Sequence, residues 1–171
     1  MKLLATIYDS DDLDKQSKRL SKSCSRRNAA RAVLIDADSR VALMHVTKWG
    51  YHKLPGGGID RGESVAGALA RELQEETGCK AEVIQEIGRT DEYWNEEDLF
   101  QQSFCYFAKV IGDKGQSQFT ESEINNGYEL QWMDSIAEAI ALLENDQPQK
   151  YSGHLIRKRD LVFLKAAQDL L

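Results

Sequence analysis

Glu72, Glu75 and Glu76 stand at i, i+3 and i+4 in a segment, Ser64 to Thr77, whose apolar residues Val65, Leu69 and Leu73 recur at four-residue spacing. That period predicts a helix with one apolar stripe, and the glutamate spacing sets three carboxylates on one of its faces. Ser64 suits the N-cap, Glu63 the positive N-terminal end, and Gly78 the residue just past the last turn. For a plain helix the arrangement is unfavourable. Like charges at this spacing cost ~0.2–0.5 kcal/mol per pair, and the last turn carries the negative end of the helix dipole. A bound cation resolves both conflicts. Carboxylate oxygens on a rigid face suit Mg²⁺ or Mn²⁺ with several waters retained; a solvated acidic face is the alternative.

Just upstream lies Leu54-Pro55-Gly56-Gly57-Gly58. Consecutive glycines let backbone approach a ligand closely, with amides and carbonyls exposed to phosphate or metal. Alone they also suit an ordinary turn. Running into a helix tipped with carboxylates, Gly56, Gly57 and Gly58 predict a site for phosphate and metal together.

From Gly57 to Cys79 the chain resembles the signature box of the Nudix (MutT-like) hydrolases, G-x5-E-x7-R-E-U-x-E-E-x-G-U with U a bulky aliphatic. Gly57, Glu63, Arg71, Glu72, Glu75, Glu76 and Gly78 match every fixed position, and Leu73 fills the first U. Cys79 departs from the second, where a buried cysteine packs as a small hydrophobe. The box covers 23 of the 171 residues. The resemblance implies an α/β fold, an α/β/α sandwich around a mixed β-sheet, as one domain over residues 1–171. It implies hydrolysis of a nucleoside diphosphate linked to another group X. Glu72, Glu75 and Glu76 would hold Mg²⁺ (or Mn²⁺), with the Gly57 carbonyl as a further ligand; Arg71 and Glu63 would orient the glutamates. The metals neutralise the pyrophosphate and activate a water, and a glutamate not spent as a ligand takes its proton. Glu121 and Glu123 are candidates for a base supplied from a loop, by position only.

Within that implied class two branches stand open. One is a nucleoside triphosphate or oxidised-nucleotide pyrophosphohydrolase, favoured by a compact chain with aromatics near the loop. The other cuts ADP-sugars or dinucleoside polyphosphates. A Nudix-like sensor that binds nucleotide without cutting it could dispense with a glutamate of the box, yet all are present. RNA decapping sits poorly with the acidic balance.

The elements that must position this site follow along the chain. Leu3–Tyr8 reads as a strand and residues 9–27 as a polar surface connection, with a helical turn around Leu13 to Leu20. Its pair Arg26-Arg27 reads as solvated, with reach to a phosphate as the alternative. Arg31–Ile35 and Val41–Val46 flank Asp36-Ala37-Asp38-Ser39-Arg40, a hairpin signal, and His45 reads as structural. Trp49 and Tyr51 come to the threshold of the glycine loop, either to stack on a nucleobase or to plug the core edge. After the box, residues 81–89 read as a strand and 90–98 as an acidic loop or hairpin holding Tyr93 and Trp94, two more rings that can meet a base. Residues 99–110 read as a buried strand and 111–127 as a long polar loop. Tyr128–Met133 alternates as a half-buried strand. A helix over 135–144 buries Ile136, Ala139, Ile140 and Leu143. A closing helix from His154 presents Leu155, Val162, Phe163, Ala166 and Leu170, and its Arg157-Lys158-Arg159 reads as a solvated basic face.

The net charge of −6 argues against broad binding to nucleic acid or an anionic membrane, but leaves room for a local basic pocket. The N-terminal apolar run is too short for a signal peptide or a span. Cys24, Cys79 and Cys105, odd in number and widely spaced, read as reduced thiols in the cytoplasm. The expected partner is a small nucleotide, met by a monomer or homodimer.

Overall fold

A computed structural model describes residues 1–9 and 20–170. The helical turn expected around Leu13 falls outside the described residues. Among those described, seven strands form one mixed sheet: β1 Leu3–Tyr8, β2 Ser25–Ile35, β3 Val41–Val46, β4 Tyr51–Lys53, β5 Lys80–Trp94, β6 Leu99–Ile111 and β7 Tyr128–Met133. The helices are α1 Val65–Thr77, α2 Glu121–Asn125, α3 Ile136–Asn145 and α4 Tyr151–Gln168.

The sheet runs β1-β5-β6-β2-β3-β4, with β7 also on β3. β1 pairs parallel with β5 and β2 parallel with β6; β5–β6, β2–β3, β3–β4 and β3–β7 are antiparallel. β7 occupies one edge of β3 along its whole length, so β2 and β4 must share the other. They do so in turn: β2 meets β3 only at Ile35–Val41, and β4 takes over from Met44. The sheet forks there, and the segment after β4 returns to the freed edge of β2. Ala30 N donates to Gly57 O at 2.9 Å, Ala32 N to Pro55 O at 3.1 Å and Ile59 N to Asn28 O at 2.9 Å. The glycine loop is thus held as a strand would be, against the middle of the sheet.

Alternation along β2 divides the core. Ala30, Ala32 and Leu34 pack with Ala68, Leu69 and Leu73 of α1 and with Cys79. Val33 and Ile35 pack on the opposite face with Ile140 and Leu143 of α3 and Phe163 and Leu164 of α4. Helices therefore cover both faces of a mixed sheet, the α/β/α sandwich expected. The expected helix capped by Ser64 forms as read: Ser64 Oγ accepts from Gly67 N at 3.0 Å, and Gly78 ends it. The hairpin after Ile35 turns through Ser39, with Asp36 Oδ1 accepting from Asp38 N and Arg40 N.

Several boundaries differ from expectation. Of the two readings for residues 90–98 the hairpin holds and the loop does not: β5 runs on to Trp94, pairs antiparallel with β6, and the turn is only the short 3₁₀ segment Asn95–Glu97. Two of the polar residues that suggested a loop, Thr90 and Glu92, are buried partners. Glu92 accepts from Thr90 Oγ1, Trp94 Nε1, Gln101 Nε2 and Ser103 Oγ inside the sheet. β2 begins at Ser25, six residues before Arg31, because β6 pairs with it throughout. The long polar loop contains α2, whose Thr120 and Glu123 form a capping box. α4 starts at Tyr151 and buries Leu155, Phe163, Leu164 and Ala167, while Leu170 is exposed. Arg159 is not on a solvated face: it is 1% exposed and bonds to Asp160 with Nε at 2.7 Å. The three cysteines are unpaired. Among the described residues no helix is long and apolar enough to cross a membrane.

Candidate functional site

β4 ends at Lys53, the glycine loop crosses to β2, and α1 descends behind it; between them lies a cavity of about 220 Å³. Glu72, Glu76, Glu123, Tyr128 and the three loop glycines line it, with Arg27, Arg31, Lys53 and Arg159.

Glu76 is 2% exposed. Its Oε1 accepts from Lys53 Nζ at 2.7 Å and its Oε2 from Gly56 N at 2.6 Å. Burial pushes its pKa up, against the opposing pull of Lys53 and the Gly56 amide. Glu72 lies against Gly57, where an added Cβ would come within 2.2 Å of its carboxylate. The glycine is what lets loop and carboxylate meet.

Arg71 holds the outer carboxylates. Nη1 donates to Glu72 Oε1 at 2.8 Å and to Glu75 Oε2 at 3.2 Å; Nε and Nη2 grip both oxygens of Glu63. Nη2 also bonds the Gly58 carbonyl at 3.1 Å. The hydrogen bond with Arg71 holds the Glu63 carboxyl below its usual range, and the one with Glu63 raises the proton affinity of Arg71. The carboxylate repulsion expected on this helix is therefore compensated within the protein, by Arg71 on one side and Lys53 on the other. The helix end is satisfied too: Gln118 N donates to Glu75 O, Ser117 Oγ to Glu76 O and Gly115 N to Gly78 O.

The structure brings Glu72, Glu76, Gly56, Gly57 and Gly58 to one cavity, with Glu123 reaching it from α2 while it caps that helix. Glu75 joins through Arg71, and Glu121 is exposed. None of the four rings read as base contacts lines this cavity. Trp94 is packed with Ile7 and Leu155; Tyr51 is 4% exposed and faces Gly153. Trp49 bonds Asn126 through its indole N–H at 2.8 Å. Tyr93 stacks on Tyr8 and meets the edge of Phe100. His45 stacks on His52, which is tied to Asp146, a structural setting as read.

Sequence reasoning missed Lys53, Arg31 and Arg159. Arg31 is 5% exposed, and its Nε has no hydrogen-bond partner. Burial, and then the neighbouring Arg159, bring its pKa down to about 10. The signal was available: a lone arginine in the apolar run from Ala29 to Ile35 is costly to bury without a purpose.

The donor set fits a hard divalent cation. Glu72 and Glu76 present oxygens to the cavity beside the Gly57 carbonyl, which keeps one lone pair after accepting from Ala30 N. Among the described residues no three of His, Cys, Asp or Glu are placed to hold a metal ion together; Mg²⁺ needs only one or two carboxylates, with water completing its shell.

Residues 25–152 match the NUDIX domain family. The chain belongs to that family, and it is a Nudix pyrophosphohydrolase. No curated protein matches it in sequence. Among solved structures it is similar to a MutT protein from Methanosarcina mazei Go1, at 17% identity and a TM-score of 0.61 over 88% of this chain and 99% of that one. It is similar to a NUDIX hydrolase from Nitrosomonas europaea, at 19% identity and a TM-score of 0.62 over 85% and 88%. An ADP-ribose pyrophosphatase from Streptococcus suis 89-1591 gives 18% identity and a TM-score of 0.53 over 83% and 92%. At these identities the likeness is one of fold.

Proposed function

We propose that the protein hydrolyses a pyrophosphate bond in a nucleoside triphosphate or a modified nucleotide, with Mg²⁺ or Mn²⁺ held between the Gly57 carbonyl and the carboxylates of Glu72 and Glu76 and with Glu75 kept beside them by Arg71. The observation that carries this reading is the cavity in which Glu72 and Glu76 face the glycine loop among Arg27, Arg31 and Lys53. Carboxylates and cations share one small space there, as a metal and a polyphosphate together require. When bound, the metal neutralises the pyrophosphate and makes water a better nucleophile.

The chain's own residues do the rest. Arg71 fixes Glu72, Glu75 and Glu63 in one orientation. Lys53 and the Gly56 amide fix Glu76. The arginines of the cavity bind phosphate oxygens by charge-assisted hydrogen bonds. Water attacks phosphorus, one P–O bond of the bridge breaks, and two phosphate products leave. A carboxylate facing the cavity, from Glu72, Glu76 or Glu123, takes the water's proton. A panel of nucleotides incubated with Mg²⁺, with products separated by chromatography, tests the reading. No product from any triphosphate, nucleotide sugar or dinucleotide would overturn it.

A further inference from the structure

Buried side chains of alternating charge run from β5 to the glycine loop. Glu92 stands 3.8 Å from Arg159, which grips Asp160 through Nε at 2.7 Å and Nη2 at 3.1 Å. Asp160 and Glu76 both favour the charge of Arg31, and Glu76 pairs with Lys53. Three carboxylates and three cations are balanced in this row, all of them buried. Such pairs are a poor means of holding α4 to the sheet, because packed apolar residues of similar volume do as well or better.

Asp160 does more than balance charge. Its Oδ2 also accepts from Leu54 N at 2.9 Å, 106 residues away along the chain. Leu54 opens the glycine loop just past the end of β4 at Lys53. The loop's other holds come from the sheet and from α1: Pro55 O and Gly57 O accept from β2, Gly56 N donates to Glu76, and Gly58 O accepts from Arg71. Asp160 adds a hold from α4, which packs on the opposite face of the sheet from α1. The loop is thus clamped from both helix layers. Pro55 follows Leu54 directly, and proline restricts its own backbone and that of the residue before it. A shift at Leu54 is therefore carried on to Gly56, whose amide meets Glu76 Oε2 at 2.6 Å.

We propose that Asp160 is a positioning residue of the hydrolytic site. Acting through Leu54, it fixes the height of the glycine loop over Glu76, and with it the place of the Gly57 carbonyl beside Glu72 and Glu76. Arg159 orients the Asp160 carboxylate for that task. The consequence for metal binding rests on the pyrophosphohydrolase reading above.

Two double variants test the assignment. Arg159→Met/Asp160→Leu removes the buried pair together, which a fold tolerates better than losing one partner, and leaves Leu54 N without its acceptor. Arg159→Met/Asp160→Asn also removes both charges but keeps one acceptor oxygen for Leu54 N. Whatever Arg159 contributes by itself cancels between them. Mn²⁺ affinity, from the paramagnetic resonance of the free ion, and hydrogen exchange at the Gly56 amide, followed by NMR, are measured on wild type and both variants. The leucine variant should bind Mn²⁺ roughly tenfold more weakly, the low end of the loss for groups that orient metal ligands, and exchange Gly56 faster. The asparagine variant should return most of the way to wild type in both. A bond that served the fold alone would leave Mn²⁺ affinity equal in the two folded variants, and that result overturns the inference. A leucine variant that cannot fold while the asparagine variant does overturns it as well, since the bond is then a requirement of the fold. A wild type that binds no Mn²⁺ removes the metal reading, and Gly56 exchange then decides: faster in the leucine variant alone, the hold on the loop stands; equal in both, it falls.

Discussion

The ammonium of Lys53 stands 2.7 Å from Oε1 of Glu76, with both side chains buried, at 9% and 2% exposure. The pair joins the end of β4 to the last turn of α1, across the cavity beneath the glycine loop. A lone carboxylate there would be buried at the negative end of a helix dipole. Lys53 supplies the opposing charge, and its second contact, to Gly56 O at 3.3 Å, ties the same ion to the loop.

Removing one partner of such a pair leaves an uncompensated charge. Lys53→Met should cost about 3–5 kcal/mol of unfolding free energy. Adding Glu76→Gln should recover much of that loss, because the remaining group no longer needs a counter-ion. Urea unfolding of wild type, both single variants and the double variant gives the coupling. A double variant no more stable than Lys53→Met refutes the pairing as the cause.

Glu72→Gln separates charge repulsion from structural support. From the spacing alone, removing Glu72's charge should stabilise the metal-free protein. The structure reverses that expectation, since Glu72 Oε1 accepts from Arg71 at 2.8 Å. The pair is partly exposed, so its loss is worth about 0–1 kcal/mol, and the variant should melt at or slightly below wild type in chelator. Mg²⁺ should raise the melting temperature of wild type through linkage and of the variant much less. A variant that melts higher in chelator returns the balance to repulsion. Turnover that survives exhaustive chelation would sink the proposed metal role.

The box was legible because it is local: seven fixed residues, one helical period and two caps lie within one stretch of chain. The apolar runs of β2 and β3 and the buried faces of α1 and α3 were legible for the same reason. What escaped was polar and non-local. Glu92 looks like loop chemistry in sequence, yet Gln101 and Ser103 of the neighbouring strand satisfy it inside the sheet. Arg159 looks solvated until Asp160 and Glu92 are seen around it. No period marks Lys53 as the partner of a glutamate 23 residues away. Aromatic residues near the loop suggested base contacts, but proximity in sequence carries no direction: Trp94 points into a packed cluster and Tyr51 is buried against Gly153.

Asp36 sets an acid limit on stability. Burial opposes its charge, but hydrogen bonds from Lys114 and from Arg40 outweigh it and hold the pKa down to about 2. A depressed carboxyl pKa contributes stability that is complete above the unfolded value near 3.8 and is lost as pH falls toward 2. The contribution is of order 2 kcal/mol at neutral pH. Asp36→Asn should therefore be less stable at pH 7, with a flatter stability curve between those two values. Lys114 anchors the segment whose residues 115–118 cap α1, so protection of the Gln118 amide in hydrogen exchange should fall as well. An acid limb as steep in the variant as in wild type would refute the assignment.

Gly56 and Gly57 are neighbours whose replacement by alanine should fail in different ways. At Gly56 the backbone has φ +126°, and a Cβ would meet Ala30 O at 2.2 Å and Arg31 Cα at 3.0 Å. Both obstacles are backbone of β2, which cannot yield without breaking the loop's pairing to the sheet. Gly56→Ala should lose more than the ~1–3 kcal/mol of an ordinary strained position. At Gly57 the obstacle is the carboxylate of Glu72 at 2.2–2.3 Å, the far end of a flexible side chain that can swing away. Gly57→Ala should keep most of its stability, yet displace Glu72 by about the distance that costs on the order of a hundredfold in rate. Unfolding curves and kcat for both variants, on whichever nucleotide the panel identifies, separate the two effects. A Gly57→Ala protein with normal kcat would show that the position of Glu72 against the loop does not matter to catalysis.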